Sequence, residues 1–190
     1  MGYKRLFKQP RSGFCVLDYM DGFEDDYKLF KGYKLTGAWP DDVTFSMDQD
    51  FKKLIKLSDQ LENQQHLVIG SKALCEFLKA EKVKNIEFLP VTILNHKGRV
   101  ASKDYCIVNP VTTQDCVDVA KSGITWNNII KEDITKADNL TFDESKIAED
   151  ATFFRVKGIV NATFVRDDLA KKIAGAGFTG ITFREVNGKG

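Results

Sequence analysis

Leu89-Pro90-Val91-Thr92-Ile93-Leu94-Asn95-His96-Lys97-Gly98-Arg99-Val100, with Asp104-Tyr105-Cys106-Ile107-Val108-Asn109-Pro110 close behind, is the stretch that decides the fold. Residues 91–95 and 104–108 are two extended runs rich in β-branched and aromatic side chains. Between them, His96-Lys97-Gly98-Arg99 is a polar turn in which Gly98 is free to take positive φ. The pattern predicts a β-hairpin, and nothing in it has the character of a catalyst.

Working outward, the hairpin is preceded by a strand–helix–strand unit. Leu67-Val68-Ile69 reads as a strand. Ser71 is placed to cap a helix whose apolar face carries Leu74, Phe77 and Leu78. Residues 86–91 form the second strand. The same plan returns near the C-terminus. Thr163-Phe164-Val165 is a strand, Asp167 is placed to cap a helix with Leu169 and Ile173 on its face, Gly175 and Gly177 end it, and Ile181-Thr182-Phe183 closes the unit. From the helix onward the copies align at constant offset: Leu74 falls on Leu169, Leu78 on Ile173, Val83 on Phe178, Ile86 on Ile181 and Phe88 on Phe183. A module of about 25 residues present twice does not make a solenoid. It suggests two similar units framing one mixed sheet. The alternative, that any unit of this kind shows the pattern, stays open.

Elsewhere, residues 14–20, 43–47, 124–126, 139–142 and 152–156 read as short strands, and residues 27–35 alternate loosely enough to be another. Residues 37–42 are a turn by composition. Phe51, Leu54, Ile55, Leu57, Ser58 and Leu61 fall at helical spacings, which predicts a helix over residues 50–61. Residues 114–120 fit helix or strand. The fold class expected is α+β, a mixed or antiparallel sheet with a few short helices. Residues 1–65 read as a variable N-terminal region of the same fold, and residues 66–190 as its core domain.

Composition sets limits on function. With 190 residues, 43% hydrophobic and 29% charged, the chain can bury a sizeable core and is not of disordered composition. A net charge of +1 gives the whole molecule no bias toward nucleic acid. The charge is uneven, however. Residues 18–50 carry nine acids against three lysines, a net of −6, and residues 132–150 carry seven acids against two lysines, a net of −5. These are either solvated loops or a functional acidic surface. Four scattered cysteines without a C-x-x-C pair fit reduced, mostly buried thiols in a cytoplasmic protein. The basic start of the chain lacks the apolar stretch of a signal peptide, and no run approaches a membrane span. The triplets at Asn139 and Asn161 then read as chance matches to a glycosylation site.

Motifs for chemistry are missing. There is neither a phosphate-binding G-x-x-x-x-G-K-[ST] loop nor a G-x-G-x-x-G turn, and Ile69-Gly70-Ser71-Lys72 lacks the earlier glycine. His66 and His96 are the only histidines and lie in separate elements. No zinc-ligand spacing and no nucleophile–base signature accompanies them. Asp167-Asp168 fits a helix N-terminus better than an acid–base dyad. Short lysine clusters do not interleave with aromatics as a single-strand nucleic-acid binder requires.

A family resemblance runs through the same residues. Val68-Ile69-Gly70-Ser71-Lys72-Ala73-Leu74, Ile86-Glu87-Phe88-Leu89-Pro90-Val91, Asn95-His96-Lys97-Gly98, Asp104-Tyr105, Val108-Asn109-Pro110 and Cys116-Val117-Asp118 lead the match. Lys121-Ser122-Gly123, Leu140-Thr141-Phe142-Asp143, Phe153-Phe154-Arg155 and Gly177-Phe178-Thr179-Gly180 continue it. In order and spacing these fragments resemble an immunity-protein family of bacterial polymorphic toxin systems, immunity family eleven. Trp39-Pro40 and Asp50-Phe51 extend the likeness loosely into the first third. The resemblance implies a small intracellular protein, encoded beside a secreted or injected toxin, that binds the toxin and blocks it. It brings no catalytic motif, so no functional residue carries over, and no cofactor, nucleic acid or membrane is expected.

Blocking by occupancy needs a shaped, charge-matched surface. For a toxin with a basic cleft, such as a nuclease, the expected contact residues are Asp18, Tyr19, Asp21, Glu24, Asp25, Asp26, Trp39, Asp41 and Asp42, with Tyr27 and Tyr33 as further aromatic anchors. Equally, Trp39 and the tyrosines have the character of core residues. Two other readings stay open: a hydrolase whose site assembles His66, His96, a cysteine and a carboxylate only in three dimensions, and an adaptor for another protein.

Overall fold

In the computed structural model, which describes residues 2–8 and 13–186, the hairpin forms as Ile86–Leu94 paired antiparallel with Val100–Pro110. In chain order the elements are β1 (Tyr3–Lys8), β2 (Val16–Asp21), α1 (Tyr27–Phe30), β3 (Thr44–Met47), β4 (Gln60–Asn63), β5 (Ile69–Ser71), α2 (Lys72–Ala80), β6 (Ile86–Leu94), β7 (Val100–Pro110), β8 (Thr113–Gln114), α3 (Val119–Ser122), β9 (Ile124–Trp126), β10 (Ile134–Ala137), β11 (Phe153–Val156), β12 (Ile159–Arg166), α4 (Asp167–Gly175) and β13 (Ile181–Glu185). The hairpin is the backbone of a closed barrel in the order β2-β3-β6-β7-β5-β4. A five-stranded sheet, β13-β1-β12-β11-β8, packs beside it, and β9 pairs with β10 separately. Parallel and antiparallel ladders coexist in both larger units, so the expected mixed α+β class is the observed one.

The repeat read from the sequence is a repeat of topology. In the first unit β5 and β6 are separated by β7, antiparallel to both; in the second β12 and β13 are separated by β1, antiparallel to both. The registers match too. Ile107 lies opposite Ile69 and Leu89, and Arg5 lies opposite Phe164 and Arg184, so the step from Ile69 to Phe164 equals that from Leu89 to Arg184 and from Leu74 to Leu169. Each unit lays its helix on one face. Leu74, Leu78, Leu169 and Ile173 fill a shared layer between barrel and sheet with Val68, Val108, Leu6 and Val165. Burying each such side chain contributes roughly 1.5–3 kcal/mol. Phe77 and Phe178 meet edge to face at 5.2 Å across the two units.

Local chemistry sets the helix ends. The Leu74 amide donates to Ser71 Oγ, the expected cap. At α4 the capping position is Arg166, not Asp167. The Asp167 carboxylate is instead held by Lys4 at 3.2 Å and Lys171 at 2.7 Å, where it still meets the positive end of the helix. The helix expected over 50–61 is a single 3-10 turn, Gln49–Phe51, followed by irregular chain and β4. The Cys15 amide donates to the Lys56 carbonyl and the Lys56 amide to the Gly13 carbonyl, so inter-segment pairing captures backbone groups a helix would need. Residues 27–35 contain α1 and not a strand, and residues 139–142 contribute only the isolated bridge between Val117 and Phe142.

The barrel interior holds Leu17, Phe45, Leu61, Ile69, Leu89, Ile93 and Ile107. A third cluster, with Tyr3, Phe142, Phe154 and Phe164, covers the opposite face of the sheet. All four cysteines are free, and three are buried. Residues 1–65 supply β1, an interior strand of the sheet between β13 and β12, and β2, β3 and β4, half the staves of the barrel. Barrel and sheet are joined at Asp59, whose carboxylate accepts from the Thr179 amide at 2.9 Å, the Thr179 hydroxyl at 2.7 Å and the Ser71 hydroxyl at 2.9 Å.

Candidate functional site

A cleft of about 610 Å³ opens between the barrel and the sheet. One wall is α1 and the chain after it, with Tyr27, Phe30 and Tyr33; the other is the segment before β10 and the β11–β12 turn, with Ile130, Glu132 and Val160. Its size is in the range of ligand pockets, but its mouth is rimmed by large exposed apolar groups. Of its lining, Tyr27, Tyr33 and Ile130 are exposed; Ile129, beside Ile130 in the chain, is 91% exposed, and Trp126, which pairs with Ile134 at the foot of the same loop, is exposed as well. Scattered single apolar residues are ordinary on a protein surface; several around one cleft mark an interaction site.

Both walls are stiff. The Glu87 carboxylate, buried in β6, accepts from the amides of Leu35 and Thr36 at 2.8 Å each, from the Thr36 hydroxyl, and from Asn109 Nδ2 at 2.8 Å. Asn109 Nδ2 also donates to the Tyr33 carbonyl at 3.1 Å, which fixes the aromatic wall to the hairpin. Burial pulls the Glu87 carboxyl upward, but these donors outweigh it and hold it below its ordinary range. On the other wall Asn127 Oδ1 accepts from the amides of Ile129 and Ile130 at 2.8 and 3.0 Å. The Asn127 amide donates to the Asp133 carbonyl and the Asp133 amide to the Ile130 carbonyl, closing a compact loop that holds both isoleucines outward. Gly158 anchors it: a side chain there would stand 2.8 Å from the Glu132 carbonyl oxygen, and its φ of 80° belongs to the left-handed region.

Beneath the cleft lies Arg155, 1% exposed. Its guanidinium stands 5.8 Å over the Phe30 ring and donates from Nη1 to the Val160 carbonyl at 3.4 Å, while Nε and Nη2 have no hydrogen-bond partner among the described residues. Burial pushes it down to about 10.

Of the acidic residues singled out in the sequence, Asp18, Asp21, Glu24, Asp25, Asp41 and Asp42 are exposed and Asp26 is half-buried. Asp25 and Asp26 lead directly into α1; Asp26 accepts from Gln65 Nε2 and Asp25 pairs with Lys28. Asp21 lies opposite Thr44 in the β2–β3 ladder, and Gly22 packs on the Asp42 backbone, so the loops carrying Asp21 and Glu24 and carrying Asp41 and Asp42 converge. Trp39 is half-buried, meets the Phe23 ring at 4.8 Å with the planes tilted by 47°, and donates from Nε1 to the Pro90 carbonyl, so it braces this corner of the barrel. Tyr19, 65% exposed, and Asp18 are both turned outward because the β2–β3 register slips between Leu17 and Met20. The second acidic window enters through Glu132 and Asp133 on the far wall. Sequence reading found both windows; their meeting across one cleft, and the exposed Trp126, Ile129 and Ile130, escaped it. The only linear signal for the latter was Trp126 beside an apolar pair in a polar stretch.

The two histidines occupy different turns and have no partner in common. His66 faces Lys8 and Arg5, whereas His96 Nε2 lies 3.4 Å from the Leu54 carbonyl. Among the described residues no group of three His, Cys, Asp or Glu side chains is placed to hold a metal ion. No helix among them is long and apolar enough to cross a membrane.

Comparison with family models finds a match to the Immunity protein family (Imm11) over residues 4–188, nearly the whole chain. The chain belongs to the Imm11 immunity protein family. Residues 1–65, whose resemblance to that family is the looser part of the sequence reading, fall almost entirely within the matched region. No curated protein matches the chain.

Proposed function

We propose that this Imm11 protein neutralises a cognate bacterial toxin by direct protein–protein contact in the cytoplasm, without catalysis of its own. The observation that carries the reading is the cleft: two hydrogen-bonded walls present aromatic and aliphatic side chains outward, and acidic segments flank both. A pre-ordered apolar centre with a charged surround is the anatomy of a hot-spot interface. Holding Ile129 and Ile130 outward before binding lowers the ordering cost of association. Asp18, Tyr19, Asp21, Glu24, Asp25, Asp26, Trp39, Asp41 and Asp42 form the acidic shoulder of the proposed surface, which suits a toxin with a basic active-site cleft, such as a nuclease.

The test is co-expression with the toxin encoded beside this gene, together with binding by purified proteins. Wild type is expected to protect cells. Trp126→Ala with Ile129→Ser is expected to weaken binding at least about tenfold, with an unchanged circular dichroism spectrum. Charge reversal at Asp25, Asp26, Asp41 and Asp42 is expected to slow association and flatten its dependence on salt. Cells that stay poisoned by the toxin despite wild-type protein would refute the function. Protection with full-strength binding by both variant sets would refute this placement of the surface.

A further inference from the structure

On the other side of the sheet–barrel junction, β1 and β12 part company. They pair only from Tyr3 to Arg5, opposite Arg166 to Phe164. Beyond Arg5 a cavity of about 540 Å³ lies between the two strands, with β4, residues 66–68 and Arg184 of β13 completing its lining. It shares Asn161 with the docking cleft but has a different chemical character.

Arg5 and Arg184 are cross-strand neighbours, and both guanidinium groups lean on Phe7, at 4.7 and 4.1 Å from its ring. Like charges placed opposite each other repel. Neither arginine has a carboxylate partner among the described residues; Arg5 has only a 3.4 Å bond from Nη2 to the Asn161 carbonyl. Lys8 adds a third cation, engaged with Glu62 at 3.3 Å and the Asn63 carbonyl at 2.9 Å. Two polar side chains in the same lining are almost completely buried and have atoms with no hydrogen-bond partner among the described residues: Gln60 Oε1, an acceptor, and Thr163 Oγ1, a donor and acceptor. A buried polar atom left unpaired is costly and asks for a reason.

We propose that this cavity binds a phosphorylated polyol, a small sugar-phosphate-like molecule. The paired guanidinium forks match the oxygens of a phosphate monoester. The orphan Gln60 oxygen calls for a hydroxyl donor, which a bare carboxylate or sulfate does not have. Thr163 offers its hydroxyl to a second ligand oxygen. A volume of this size holds a small molecule and not a folded partner. The site is separate from the toxin-docking surface and stands whether or not that surface is correctly placed.

Isothermal titration of the whole protein with glycerol phosphate, ribose phosphate and glucose phosphate, against inorganic phosphate, sulfate and free ribose, tests the assignment. At least one phosphorylated polyol is expected to bind saturably and to raise the melting temperature, more tightly than inorganic phosphate, with free ribose silent. Arg184→Gln, at an exposed position, and the isosteric Thr163→Val are each expected to weaken that binding about tenfold while the unliganded proteins stay folded. Absence of saturable binding at millimolar ligand overturns the proposal. So does equal binding of sulfate, or binding that both variants leave intact.

Discussion

Arg155 is the residue whose environment departs furthest from what its chemistry wants. A guanidinium has five donors, and here only Nη1 finds an acceptor, at 3.4 Å. Replacing an unpaired buried charge with an apolar side chain of similar reach removes a desolvation cost without creating a void. Arg155→Met is therefore expected to raise stability by about 1–3 kcal/mol in urea unfolding; a loss of stability would show that the Phe30 and Val160 contacts outweigh that cost. The opposite case is Gly180. A Cβ there would sit 2.2 Å from the Gln60 carbonyl oxygen, with φ at 78°. Gly180→Ala is expected to lower stability by at least about 2 kcal/mol, since clash and left-handed strain add. Neither residue was legible in sequence. Residues 152–156 read only as a strand, and it is tertiary packing, with Phe30 over the guanidinium, that makes the arginine a buried one.

At the scale of elements, the hairpin and the two strand–helix–strand units were legible because their information is local: alternation, a turn glycine, a capping serine, and helical spacing of Leu74 and Leu78 or Leu169 and Ile173. The same rules misread residues 50–61. Helical spacing there is satisfied by Phe51 and Ile55, which the fold leaves exposed, while Leu61 is buried as part of a strand. The chain after α1 carries only the loose alternation that suggests a strand, which it does not form; it is held from outside by Glu87. Glu87→Gln is expected to cost about 1.5–3 kcal/mol and to loosen the Tyr33 wall, read as faster amide exchange at Leu35 and Thr36. The pH dependence follows in sign. A carboxyl held below its ordinary value of 4.5 adds stability that is present above that pH and is lost as pH falls through the lower folded value. Wild type is expected to lose stability on acidification below about pH 4.5, and the Gln variant to show a shallower acid limb. A parallel acid limb in the two proteins would contradict it.

The whole molecule is two structures sharing one apolar layer, and Asp59 is the polar clasp between them. Burial raises its carboxyl, but the Thr179 amide and hydroxyl and the Ser71 hydroxyl more than compensate, so the anion is favoured. Asp59→Asn is expected to destabilise by about 1.5–3 kcal/mol with unfolding still in one cooperative step, because the helix layer still couples the halves; two separated transitions would show that the clasp, not the layer, joins them. Alternation, spacing and composition by themselves determined the α+β class, the central hairpin, the repeated unit, the reduced thiols and, through the order of its fragments, the family resemblance, since each is written in residues close in the chain or in their order along it. Barrel closure through β2 and β4, the insertion of β1 between β12 and β13, the cleft where two acidic segments meet, and the cavity with its two facing arginines were decided only by tertiary structure. Each depends on which distant backbone a strand chooses as its partner, and that choice is made by burying apolar faces against one another, not by any stretch of sequence alone.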